Sequence, residues 1–172
     1  MRGKRRNGGR VRYTFRMFAP NLTGWRAQYD RMLRGADRLS RPYQSSVEYQ
    51  DDLQHFLQDC WHLKDWIKND PESGVPAATI EEQVSVNTDL RIVGDLATAC
   101  KHLNHDMRDS QGHGEGAYVT RNDVTVHLAQ SRPTDITHRI TMHDGRVITA
   151  QELVSQSVHA WDTVLRGLHL LP

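Results

Sequence analysis

RIVGDLATACKHLNHD, residues 91–106, is the stretch whose reading decides the fold. No Gly-Pro pair interrupts it, and Ile92, Leu96, Ala99, Leu103 and Met107 recur at helical spacing, so it predicts a helix with an apolar stripe that packs into a bundle. At about 100° per residue, Arg91, Asp95, Thr98, His102 and Asp106 fall together on the shoulder of that stripe, while Lys101 points away. A half-buried polar line must find partners. It is either an inter-helix seam of ion pairs and hydrogen bonds or a site built from an Arg, an acid and an imidazole.

Upstream, Thr23 is placed to cap a first helix through about Leu39, with Trp25, Tyr29, Met32, Leu33 and Ala36 on its apolar side. Ser40-Arg41-Pro42 interrupts it, and Pro42 is expected to restart the chain as a long central helix to Asn69. Tyr49, Leu53, Phe56, Leu57, Cys60, Leu63 and Ile67 form that helix's apolar face. Lys64 projects from within it and needs a carboxylate or a route to solvent; Asp95 is the expected partner. Asn69 to Pro76 is a turn. Thr79 with Glu82 reads as a capping box for a short helix from Ile80 to about Val86, and Asn87, Thr88 and Asp89 can cap the 91–106 helix.

Downstream of Arg108 the character changes. Gly112, Gly114 and Gly116 mark a loop, after which short alternating runs around Tyr118–Leu128 and Ile136–Met142 precede His143-Asp144-Gly145-Arg146, a hairpin signal. Ser131 to Thr134 would supply the other turn of a small antiparallel meander. Thr149 with Glu152 forms a second capping box, opening a last helix whose Leu153, Val154, Val158, Trp161, Val164, Leu165 and Leu168 face inward. The fold expected is mainly α: an antiparallel bundle of four to five helices, residues 21–172, with a β insertion at about 117–148 before the last helix.

The 172 residues, 37% hydrophobic and 25% charged, suit one core. Neither a membrane-spanning run nor a secretory leader is legible, so a cytoplasmic protein without membrane partners is expected. Two cysteines, Cys60 and Cys100, sit inside helical patterns and do not suggest a disulfide framework. The net charge of +1 conceals an asymmetry. Arg2, Lys4, Arg5, Arg6, Arg10, Arg12 and Arg16 stand together without an acid, leaving 15 basic against 21 acidic groups in the remainder. Residues 1–20 thus read as a flexible basic arm before an acidic body, either solvated or contacting nucleic acid through phosphates, with Arg2, Lys4, Arg5, Arg6, Arg10 and Arg12 as its binding residues.

Cys60-x-His62 and Cys100-x-His102-x2-His105 contain soft ligands, but Cys60 and His62 point about 160° apart on one helix, and no Cys-x2-Cys is present. No metal site or cofactor is expected. No phosphate-cradling glycine loop or nucleophile elbow occurs. His102 could act as general base on a ribose hydroxyl, with Arg91 stabilising phosphate charge; equally, it could be a structural histidine in the polar seam.

HLKDWI at His62–Ile67 and DLATACKHL at Asp95–Leu103, followed by a hairpin and a helix with Ala150-Gln151-Glu152-Leu153 and Ala160-Trp161, resemble HEPN-like small helical proteins of bacteria and phages over roughly residues 45–170. Asp95, Lys101 and His102 match that pattern; Thr98 stands where Asn is usual, Gly94 precedes Asp95 where an Arg would be more nuclease-like, and ten residues separate Arg91 from His102 where the nucleases have four to six between Arg and His. The resemblance implies a homodimeric bundle from a superfamily of RNA-cleaving toxins and defence factors, with an antitoxin or host protein as partner. It would make His102 the base of a metal-independent endoribonuclease, Arg91 the phosphate clamp, Asp95 the orienting acid and Lys64 its support. The opposing expectation is a non-catalytic interaction or nucleic-acid-binding module whose polar seam is structural.

Overall fold

The computed structural model describes residues 23–43, 45–99, 118–125, 135–142 and 145–172, with the backbone alone for 118–125 and 135–137. Its helices are α1 (Gly24–Leu39), α2 (Ser46–Asn69), α3 (Ala77–Ser85), α4 (Thr88–Ala99) and α5 (Ala150–Gly167), and its strands are β1 (Tyr118–Thr125), β2 (Asp135–Thr141) and β3 (Val147–Thr149). This is the expected mainly helical architecture with a small antiparallel sheet before the last helix.

Local chemistry sets the boundaries. Thr23 is the extended residue before α1, but the polar tie there comes from far away: Asp70 Oδ2 accepts the Trp25 amide at 2.9 Å, and its other oxygen accepts from Glu72 N at 2.9 Å. One carboxylate therefore joins the start of α1 to the turn that ends α2. Gly24 is required there, because its φ is +85° and a Cβ would lie 2.7 Å from Asp70 Oδ2.

Two expected starts differ. The central helix begins at Ser46, not at Pro42, because Ser45 caps it, its Oγ accepting from the Val47 amide at 3.1 Å. α3 begins at Ala77, so Thr79 lies inside it and forms no capping box. Pro76, with its fixed extended backbone, precedes the helix, and its carbonyl accepts from Thr79 N and Ile80 N. The other two starts match the reading: Asn87 Oδ1 accepts from Leu90 N at 3.1 Å, and Thr149 and Glu152 complete a reciprocal capping box.

The apolar faces meet as the periodicity requires. α2 is central, flanked by α1, α3 and α4, while α5 packs on α4, α1 and the sheet. Trp25, Met32, Tyr49, Phe56, Leu63, Ile67, Ile80, Leu90, Ile92 and Trp161 are among the fully buried side chains. Each large one contributes about 2–3 kcal/mol as an upper estimate. Trp161 of α5 also donates its indole N–H to the Cys60 carbonyl at 3.1 Å, tying the last helix to the middle of α2.

The sheet is a meander in the order β1-β2-β3, antiparallel throughout, with Asn122 opposite His138 and Ile140 opposite Ile148. A bulge interrupts the β1–β2 register between Val119 and Arg121. The expected turn at Ser131–Thr134 lies outside the described residues. Along β2 and at the residue after it, His138, Ile140 and Met142 are buried while Arg139 is exposed, so this face covers the helices.

Candidate polar site between α2, α3 and α4

Lys64 sits inside the apolar face of α2, as the sequence places it, and is 9% exposed. Its carboxylate partner is Glu81 of α3, at 3.0 Å, and not Asp95. The reason is geometric: the turn at 70–76 is short, so α3 folds back along the same flank of α2 and brings Glu81 to the ammonium. Lys68, one turn further on, shares that carboxylate at 2.8 Å and also meets Asp65 at 3.0 Å. The Lys68 hydrogen bond, joined by that of Lys64 and opposed by partial burial, holds the Glu81 carboxyl below its ordinary range. Glu81 and Asp65 in turn raise the affinity of Lys68 for its proton.

The other side of the Lys64 ammonium lies over the Trp61 ring, 4.4 Å from its centroid. That ring is pressed against α4. A Cβ on Gly94 would stand 2.6–2.9 Å from three of its atoms, so only glycine allows the approach. Gly94, which departs from the nuclease-like pattern, is thus explained by packing.

Asp95, the next residue, is 7% exposed, and Arg91 is half-buried one turn earlier; neither lacks a partner. Thr98 turns its hydroxyl back onto the Gly94 carbonyl at 2.8 Å, which spends it within α4. His102, the proposed base, lies outside the described residues, as do Cys100, His105 and the basic residues Arg2, Lys4, Arg5, Arg6, Arg10 and Arg12. The structure therefore places Lys64, Arg91 and Asp95 on facing helices and brings Lys64 together with Glu81, Lys68 and Trp61.

Glu81, Lys68 and Trp61 were not singled out in the sequence. Lys64 and Lys68 do share a helical face at four-residue spacing, and an acid in the helix after a short turn is the natural counter-charge; that signal was readable. Trp61 carried none, because its role depends on a glycine thirty-three residues away.

Chemically, the arrangement neutralises and orients an ammonium. With Glu81 on one side and an indole face on the other, Lys64 is poorly disposed to clamp a phosphate, which would have to displace a carboxylate already held by two lysines. Cys60 is equally inert: burial pushes its thiol up to about 12, so it offers no thiolate. Among the described residues no group of three or more His, Cys, Asp or Glu side chains is arranged to hold a metal ion, and no helix is long and apolar enough to cross a membrane.

No protein-family model, curated protein or solved structure matches this chain.

Proposed function

We propose that this chain is a non-catalytic, nucleic-acid-directed helical module acting in the cytosol, in which the basic segment at residues 2–16 supplies contact with phosphates and the helical domain is a rigid platform. The observation that carries this reading is the state of Lys64: its charge is committed to Glu81 and Trp61, so the seam between α2, α3 and α4 fixes helix register. The seven basic residues without an acid at the start of the chain supply the electrostatics that favours a polyanion. The HEPN-like resemblance favours RNA over DNA and a homodimeric assembly with an antitoxin or host protein. The apolar faces of α2 and α4 are occupied within the chain, so a second copy would meet it through other surfaces.

The test uses labelled single-stranded RNA, the full chain, a form lacking residues 1–16, and His102→Ala. The full chain is expected to bind with affinity that falls steeply with salt, the truncated form to lose most of both affinity and salt dependence, and neither to cleave. Binding unchanged by the truncation removes the basic segment from the function. Metal-independent cleavage that His102→Ala abolishes without lowering the melting temperature overturns the non-catalytic reading in favour of an endoribonuclease using His102, Arg91 and Asp95.

A further inference from the structure

Where the sheet meets the start of α2, three rings are assembled. His138 of β2 is 1% exposed and lies face to face on Tyr49 of α2, with ring centres 4.6 Å apart and planes within 4°. Tyr43 stands edge-on to the other ring at 5.0 Å and 81°. The Tyr43 hydroxyl donates to Asp52 at 2.7 Å, and Asp52 also accepts from Arg38 at 3.0 Å. Two polar atoms at this junction, His138 Nε2 and the Tyr49 hydroxyl, are buried without a hydrogen-bond partner among the described residues.

A neutral imidazole is tolerable here, since it stacks as an aromatic and one of its nitrogens carries no proton. An imidazolium is a donor on both nitrogens and carries a full charge. The attraction of a cation to the tyrosine face returns only part of the hydration it would lose.

The described side chains around it offer little compensation. From α2 and the residues before it come Tyr49 and Tyr43, with Asp52 already taken by Tyr43 and Arg38. On β1, Asn122 is opposite in register, between Arg121 and Asp123. On β3 the register ends at Thr149, opposite Arg139, with Ile148 opposite Ile140 two residues along β2 from His138 and Arg146 before the strand. On α5, Glu152 is held by Thr149, Asp162 by the Tyr29 hydroxyl and Arg166 by the Pro172 carbonyl, while His159 is exposed.

We propose that His138 is a proton-operated latch: neutral, it seats β2 on α2, and protonated, it releases the sheet from the helical bundle, uncovering Tyr49 and the buried face of Ile140 and Met142. Burial lowers the affinity of this imidazole for a proton below its ordinary value near 6.5. The unfolded chain therefore binds a proton that the docked sheet rejects. Stability is unaffected above about pH 6.5, falls as pH drops through that value, and levels off below the native pKa. Carboxylates such as Glu81 and Asp52, held low by their partners, act in a separate and more acidic window.

The experiment is urea unfolding of the full chain at pH 7.0, 6.0 and 5.0, for the wild type, His138→Phe and His138→Gln, with amide hydrogen exchange at residues 138–142. The wild type is expected to lose about threefold or more in its folding constant between pH 7.0 and 5.0, the phenylalanine variant to lose much less, and β2 amides to lose protection before those of α2. Equal losses in wild type and variants, or β2 amides that stay as protected as α2 at pH 5.0, overturn the latch. Should neither variant fold, NMR titration of His138 in the wild type decides: a midpoint at or above about 6.5 refutes the proposal, and one below it supports it.

Discussion

At Gly94 a single hydrogen atom decides whether two helices can meet. Gly94→Ala is expected to cost about 1–3 kcal/mol, because its methyl would overlap an indole packed between helices rather than a chain end free to swing away. Trp61→Leu in the same chain should restore part of that loss, and the coupling in a double-mutant cycle read by urea unfolding measures the contact. Lys64 supplies the second residue-scale expectation. Glu81→Gln deprives a buried ammonium of its counter-charge, but Glu81 is 41% exposed, so the cost should lie between the buried and surface extremes, about 1–2 kcal/mol. The same pairing carries a pH signature. Because the folded carboxyl is held below its ordinary value, its contribution is complete above about 4.5 and disappears as pH falls through the depressed value. Acid unfolding of Glu81→Gln should accordingly be shallower below pH 4.5 than that of the wild type.

Among the elements, the ends of helices respond to chemistry that sequence shows unevenly. Asp70→Ala removes the acceptor of both Trp25 N and Glu72 N, and thermal unfolding should show a loss of about 1–2 kcal/mol, larger than an ordinary single cap would give. The Thr149–Glu152 and Asn87 caps were legible because they act within three residues. The Asp70 cap was not, since donor and acceptor are forty-five positions apart. Thr79 and Glu82 had the spacing of a capping box, yet a proline three residues earlier had already preset the backbone, and the helix started there. Apolar periodicity located the four longer helices and alternation the two longer strands, because burial enforces both along the chain. The short α3 was instead reached through a capping box that does not form, and β3 through the Asp-Gly turn before it. Periodicity also placed Lys64 inside the core, but the choice of Glu81 over Asp95 depended on how α3 folds back, which no local pattern encodes.

For the whole molecule, charge and fold are divided along the chain. Seven basic groups precede a body with more acids than bases, so removal of residues 1–16 should shift the net charge of +1 to about −6 and lower affinity for any polyanion without altering the melting temperature of the helical domain. The far-UV and melting profiles of the two forms, compared at equal ionic strength, check the second half of that statement. A final consequence follows from the Trp161 indole resting on the Cys60 carbonyl across a separation of 101 residues. During synthesis α2 leaves the ribosome long before α5 does, and until then an inner flank of the central helix faces water. The domain should consequently resist protease only after α5 has been made, and chains arrested before residue 161 should be cut within α2 while completed ones are spared.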